Sequence, residues 1–168
     1  MTRISVETAI DAPPAEVWAH LEQLEHHVDW MADAVAITFE SASTRGIGTR
    51  FVCDTRVGPL RLSDRMEVVE WRPPAAMGVR HTGLVTGTGR FSLTKHSSGG
   101  TVLRWDEDLT FPWYLGGVVA GAVGGQAVLR RIWRRNLDHL RRLVEADDEA
   151  EDAGSAGDAE APDGQPEA

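Results

Sequence analysis

The order of elements in this chain is set at residues 10–18, which read Ile10-Asp11-Ala12-Pro13-Pro14-Ala15-Glu16-Val17-Trp18. Before them, residues 3–10 alternate apolar and polar side chains, which predicts a half-buried strand. The two prolines hold φ near the value of a first helical turn, so they favour a helix that begins at about Pro14. Leu21 and Leu24 continue its apolar face. We therefore predict a strand that passes directly into a helix.

After this helix and a short helical turn at 29–31, alternation returns in a series of segments. We predict strands at 35–41, 49–57, 60–71, 76–83, 86–96 and 101–110. Glycine and proline turn signals separate these segments, which favours an antiparallel meander over βαβ units. The chain then carries one long amphipathic helix, whose apolar stripe consists of Leu129, Ile132, Trp133, Leu137, Leu140 and Val144.

Composition divides the chain at residue 145. The segment 146–168 has no aromatic, β-branched or basic residue and holds nine acidic residues, which account for the whole net charge of −9. We predict one ligand-binding domain at 1–145 and a disordered acidic tail at 146–168, because such a tail cannot bury enough apolar surface to offset its ordering entropy. The neutral body of the domain argues against a nucleic-acid partner.

Three features of this sequence resemble the START-like (SRPBCC, helix-grip) superfamily, and within it the polyketide cyclase/dehydrase-like branch. They are the junction at 12–18 with Trp30-Met31 after it, the strand end Glu70-Trp71-Arg72-Pro73-Pro74, and the long final helix. The resemblance implies an α+β helix-grip fold, in which a curved antiparallel sheet of about seven strands wraps round a long C-terminal helix and leaves an internal cavity. It implies binding of a hydrophobic small molecule (a lipid, a polyketide or a quinone-like compound) or, alternatively, a polyketide cyclase/dehydratase activity.

Strand alternation predicts which polar side chains face that cavity. Asp64 falls on the face of Leu62 and Met66, while the same pattern turns His81 and Glu107 inward on their strands. Titratable groups in an apolar cavity are the ingredients of general acid–base catalysis on a carbonyl compound. Two other interpretations compete with catalysis. These polar residues can lie near the mouth of the cavity, where water reaches them, and a register slip of one residue would turn each of them to the other face. We lean towards a binding protein over an enzyme.

The predicted ligand-binding side chains share an apolar or aromatic character on the inward face or beside the glycine-rich segment 111–129. They are Phe51, Cys53, Met66, Val79, Phe91, Trp105, Trp113 and Tyr114. The segment 111–129 has no charged residue and contains five glycines, which favours an entrance to the cavity. Packing against the sheet or a second subunit and contact with a membrane surface are the alternatives. The segment's glycines and length make an integral membrane helix a poor interpretation.

Neither a metal nor an organic cofactor is predicted. The histidine and cysteine spacings of zinc sites are missing, and Gly46-Ile47-Gly48 and Gly87-Thr88-Gly89 precede strands, so turns and bulges explain them better than phosphate binding. Cys53 is the single cysteine, which suits a reducing, cytoplasmic location, and the first residues lack the apolar core of a signal peptide. A regulatory protein that meets partners through its acidic tail and arginine-rich helix is a third interpretation. The sequence does not indicate an oligomeric state.

Overall fold

The structure, a computed structural model, describes residues 2–113 and 125–157. Its strands are β1 (Thr2–Ile10), β2 (Ala34–Phe39), β3 (Arg50–Val57), β4 (Leu60–Arg72), β5 (Ala76–Thr82), β6 (Thr86–Lys95) and β7 (Thr101–Thr110). Its helices are α1 (Pro14–Leu21), α2 (His27–Trp30) and α3 (Gly125–Gly157), with a 3-10 turn at Leu24–His26. The predicted strands all form, with ends within two residues of those expected.

The seven strands make one antiparallel sheet in the order β1-β7-β6-β5-β4-β3-β2. The first strand of the chain pairs with the last, so Ile4 lies opposite Glu107 and Ile10 opposite Thr101. Each of the other strands pairs with its neighbour in sequence, as a meander requires. This curved sheet and the long C-terminal helix form the predicted helix-grip fold.

The proline pair starts α1 as expected. Pro13 has φ −60° and ψ 152° at the N-cap position, and Pro14 is the first helical residue, where a missing N–H costs no intrahelical hydrogen bond. Helix α1 ends at Leu21, three residues earlier than the sequence suggested, and Leu24 starts the 3-10 turn. Both leucines are nevertheless buried, so the apolar face continues through the break.

Helix α3 packs its apolar stripe against β1, α1 and α2. Trp133, Leu137, Leu140 and Val144 are buried, and Leu129 with Ile132 are half-buried at the same face. Complete burial of a side chain of this kind contributes about 1.5–3 kcal/mol relative to exposure. This stripe therefore holds the helix against the sheet.

A polar contact fixes the position of α3 along its axis. Asn136 is completely buried within the apolar stripe. Its side-chain N–H donates to Asp33 Oδ1 at 2.6 Å, and its Oδ1 accepts from the Ala32 backbone N–H at 3.0 Å. Asn136 was not among the residues predicted to matter, although a polar residue between Trp133 and Leu140 on an otherwise apolar face is a recognisable signal.

Helix α3 continues beyond the predicted domain boundary. Residues 146–157 are helical, where the sequence predicted disorder. Two physical effects explain the difference: these residues extend a helix that is already nucleated, and alanine and glutamate favour the helical state. Asp147 Oδ2 also lies 3.5 Å from His20 Nε2 on α1. Residues 158–168 of the predicted tail lie outside the described residues.

Candidate functional site

A cavity of about 160 Å³ lies between the concave face of the sheet and the helices. Six of the predicted ligand-binding side chains line it: Phe51, Cys53, Met66, Val79, Phe91 and Trp105. Trp133 from α3 and Phe111 after β7 also contribute to the wall. The ring centres of Trp105 and Phe91 are 5.0 Å apart, and those of Trp105 and Trp133 are 5.3 Å apart. The wall is thus mainly apolar and aromatic.

The structure does not bring Trp113 to the cavity wall. Its side chain is 87% exposed, and it is not among the described residues that line the cavity. Strand β7 ends at Thr110, so Phe111 is the aromatic residue that reaches the wall, and Trp113 lies beyond the sheet. Tyr114, and with it most of the glycine-rich entrance at 111–129, lies outside the described residues.

Three buried ionisable side chains meet at one end of this wall. Asp64 on β4, His81 on β5 and Glu107 on β7 are all buried and all line the cavity, on the face that strand alternation predicted. Asp64 and His81 come from adjacent strands, in which Met66 pairs with His81. Glu107 comes from two strands away, because β6 lies between β5 and β7.

A glycine in β6 leaves room for the Glu107 carboxyl group beside His81. The β6 residue opposite His81 is Gly87, and the one opposite Glu107 is Gly89. A Cβ atom on Gly89 would lie 2.6 Å from Glu107 Oε1, so any side chain there would displace the carboxyl group. Gly87 and Gly89 lie inside β6, within the strand predicted at 86–96, whereas Gly46 and Gly48 occupy a turn with positive φ.

His81 directs both ring nitrogens at carboxyl groups. Its Nδ1 lies 2.5 Å from Asp64 Oδ2, and its Nε2 lies 3.3 Å from Glu107 Oε2 without hydrogen-bond geometry. The Trp105 indole N–H donates to Glu107 Oε1 at 2.8 Å, which holds the carboxyl group in place. Asp64 Oδ1 and Glu107 Oε2 accept no hydrogen bond from the described residues. The cluster thus contains more acceptors than its donors satisfy.

The carboxyl groups decide the charge of His81. Burial is the largest single influence and opposes the charged imidazolium, but the contacts with Asp64 and Glu107 together outweigh it and raise the pKa of His81 to about 9. His81 is therefore protonated at neutral pH, and it can donate a proton but cannot accept one there. In the opposite sense, burial raises the pKa of the Cys53 thiol to about 12, aided by Asp33 and Asp64, so this thiol is not a nucleophile at neutral pH.

A second buried histidine lines the cavity and remains neutral. Burial lowers the pKa of His27 to about 4, although its hydrogen bond with a backbone carbonyl partly opposes the shift. Its Nε2 lies 2.8 Å from the Leu21 carbonyl oxygen, so the neutral ring carries its proton on Nε2. Its ring packs against Trp30 and Phe91. His27 was not among the predicted site residues.

No group of three or more His, Cys, Asp or Glu side chains within residues 2–113 and 125–157 has the arrangement of a metal site. In the Asp64–His81–Glu107 cluster the imidazole offers no nitrogen to an ion, because both are directed at carboxyl groups. Among the described helices, none is long and apolar enough to cross a membrane.

Solved structures share this fold at low sequence identity. A protein from Thermus thermophilus is 20% identical with a TM-score of 0.68, over 86% of this chain and 97% of that one. A START superfamily protein from Mycobacterium smegmatis is 14% identical with a TM-score of 0.64, over 89% and 99% of the two chains. The di-domain ARO/CYC StfQ from the steffimycin biosynthetic pathway is 17% identical with a TM-score of 0.69, over 91% of this chain and 52% of that one.

At these identities the structural likeness shows the fold alone. No curated protein matches the chain in sequence. The sequence profile of one family does match, over residues 1–145, which include the whole sheet, the cavity wall and the buried cluster. The chain belongs to the family described as polyketide cyclase / dehydrase and lipid transport.

Proposed function

We propose that this protein binds a hydrophobic small molecule in its internal cavity. The observation that carries the proposal is the cavity itself, because protein interiors are normally close-packed and a space of about 160 Å³ forgoes the contacts that side chains would make there. An empty apolar space of similar size, about 150 Å³, is large enough for benzene. A ligand of one ring fits inside, and a larger lipid, polyketide or quinone-like ligand would place only part of itself there.

Affinity would come from apolar surface removed from water. The contribution is about 25 cal/mol for each Å² of apolar area, before the cost of association is subtracted. The paired rings of Trp105, Phe91 and Trp133 offer flat surfaces against which a planar ligand could pack. No step of chemistry is needed for this function.

The test is native mass spectrometry of freshly purified protein, followed by extraction and identification of any bound molecule. Val79→Phe adds a ring to the cavity wall and should remove the bound mass. The control Val35→Phe makes the same change at an exposed position of β2, and this variant should retain the bound molecule. A cavity that stays empty in the parent, and that takes up no hydrophobic probe, would contradict the proposal.

A second candidate function is a cofactor-independent dehydratase or cyclase, favoured by the contact of His81 with two carboxyl groups. In a dehydration, a carboxylate of the cluster would accept the proton from the carbon next to a carbonyl. The electron pair left behind forms a C=C bond, the C–OH bond breaks, and protonated His81 donates to the departing oxygen, which leaves as water. Asp64 would hold the imidazolium in position through Nδ1.

Binding and catalysis separate in one variant. His81→Gln removes the proton donor but leaves the apolar wall, so an enzyme would lose turnover of a hydroxyketone while retaining bound ligand. The parent rate should also fall as pH rises through about 9, where His81 loses its proton. Turnover that is unchanged in His81→Gln would remove His81 from the mechanism.

A further inference from the structure

The cavity wall has an uneven set of charges. Three of its described residues are acidic (Asp33, Asp64 and Glu107), and none is a lysine or an arginine. The other titratable wall residues are His27, which is neutral at pH 7, the protonated Cys53, and His81. Within the described wall, His81 is therefore the single cation, and it already contacts two of the three acids.

The described wall also has more unpaired hydrogen-bond acceptors than unpaired donors. The Asp64 and Glu107 side chains are only 8% and 7% exposed, yet Asp64 Oδ1 and Glu107 Oε2 accept no hydrogen bond from the described residues. A buried acceptor without a donor is destabilising, because it loses its hydrogen bonds with water and gains none in return. Among the described wall residues the cluster thus leaves two carboxyl oxygens unpaired against one N–H, that of His81 Nε2, and a ligand could supply the missing donor.

We propose that the cavity selects a ligand with a ring-sized apolar body and a hydrogen-bond donor, a hydroxyl or an amine, and that it excludes ligands with a carboxylate or phosphate group, fatty acids among them. This inference rests on the cavity-binding function proposed above. A carboxylate brings only further acceptors and a negative charge to acceptors that are already unsatisfied. It would have to compete with Asp64 and Glu107 for the one imidazolium.

The depth of the cluster explains why the head group matters. The carboxyl groups are buried, so neither bulk water nor salt screens them as it would at the surface. A hydroxyl on the ligand would supply the donor that Asp64 Oδ1 or Glu107 Oε2 lacks, whereas the indole N–H of Trp105 already donates to Glu107 Oε1. An amine adds a positive charge opposite the acids and beside the Trp105 ring.

The experiment is isothermal titration calorimetry at pH 7 with four one-ring probes: toluene, benzyl alcohol, benzylamine and phenylacetate. We expect the alcohol and the amine to bind more tightly than toluene. Phenylacetate should bind at least about tenfold more weakly than benzyl alcohol, because a like-charge approach costs more than the ~1.4 kcal/mol that a tenfold change represents. The order of the alcohol and the amine shows which donor the cavity prefers.

Variants attribute the selection to the cluster. Glu107→Gln and Asp64→Asn each remove one carboxyl group and should narrow the gap between benzyl alcohol and phenylacetate several-fold. Asp106→Asn is the matched control, since Asp106 neighbours Glu107 in sequence but pairs with Arg104 on the outer face. Thermal melting identifies a variant that fails to fold, in which case the other carries the test.

The outcomes separate the two proposals. Phenylacetate that binds as tightly as benzyl alcohol overturns the head-group selection but leaves cavity binding intact. A gap that persists in both carboxyl variants also overturns it, since the carboxyl groups would then not be its cause. If none of the four probes binds, toluene included, the cavity-binding function fails and the selection fails with it.

Discussion

Replacing His81 with glutamine tests whether the buried cluster holds a charged imidazolium. In the folded protein the pKa of His81 is raised from 6.5 to about 9, so folding favours the protonated ring. A raised pKa gives stability that is complete below pH 6.5 and is lost as the pH rises through about 9. At ~1.4 kcal/mol for each pKa unit, the full contribution is about 3 kcal/mol.

The size of this contribution makes it measurable. It is a substantial part of the total stability of a domain, which is about 5–15 kcal/mol. The assay is urea unfolding, followed by tryptophan fluorescence, at pH 6, 7, 8 and 9. Between pH 6 and 9 the unfolding free energy of the parent should fall by about 3 kcal/mol more than that of His81→Gln. The difference between the two unfolding curves is compared, because titrating groups that do not contact His81 contribute equally to both proteins.

The titratable groups around His81 are identifiable. Asp64 and Glu107 face His81 directly, and Cys53 pairs with Asp64 across β3 and β4. The thiol, with its pKa raised to about 12, stays neutral in the folded protein up to pH 9. His96→Gln is the control, since His96 is exposed on the hairpin between β6 and β7 and should leave the pH dependence unchanged.

A difference in unfolding free energy that stays flat from pH 6 to 9 would refute the reasoning. Should His81→Gln fail to fold, the parent still provides the test, because the His81 ring protons report the titration directly in an NMR experiment. A titration midpoint at or below 6.5 would show that burial outweighs the two carboxyl groups.

Three further predictions concern residues around the cavity. His27 has its pKa lowered to about 4, so the parent should lose up to about 3 kcal/mol of unfolding free energy relative to His27→Gln as the pH falls from 6.5 to 4 in urea unfolding; equal losses in both proteins would contradict this. Asn136→Ala removes the donor to Asp33 Oδ1 and the acceptor for the Ala32 backbone N–H, so it should lower the unfolding free energy by about 2–3 kcal/mol in the same assay. A decrease under about 0.5 kcal/mol would argue against a role in anchoring α3. Gly89→Ala should displace Glu107 and move the NMR midpoint of His81 from about 9 towards 6.5, whereas an unmoved midpoint would show that the carboxyl group has room to spare.

The strands and the inward side chains were predictable because alternation in the relevant segments is uninterrupted. Asp64 follows Leu62 and precedes Met66 on one face, and the irregularity in β4 comes later, between Val68 and Glu70. A bulge before Asp64 would have turned it outward. The family resemblance supplied the closing of the sheet round the last helix, which periodicity alone could not give.

The contact between His81 and Glu107 was not predictable from either strand alone. It needs the order of β5, β6 and β7 in the sheet and a glycine, Gly89, on the middle strand opposite Glu107. Which aromatic residue after β7 reaches the cavity wall also depends on the sheet. Aromatic character predicts burial in general, but the end of β7 decides which aromatic residue after it reaches the wall, and that residue is Phe111.

The buried cluster stabilises the fold less than an apolar wall of the same volume would. A buried ion pair is often no more stable than well-packed apolar residues of similar volume, and removing one partner alone is strongly destabilising. Here two further costs are added, the unsatisfied carboxyl oxygens and the glycine that Glu107 requires in the centre of a strand. Leucines at these three positions would extend the existing apolar wall without those costs. Stability alone therefore gives no reason for the cluster, whereas the two proposed roles, selection of a ligand's head group and transfer of a proton, each require it. The probe series and the His81→Gln variant test these two proposals.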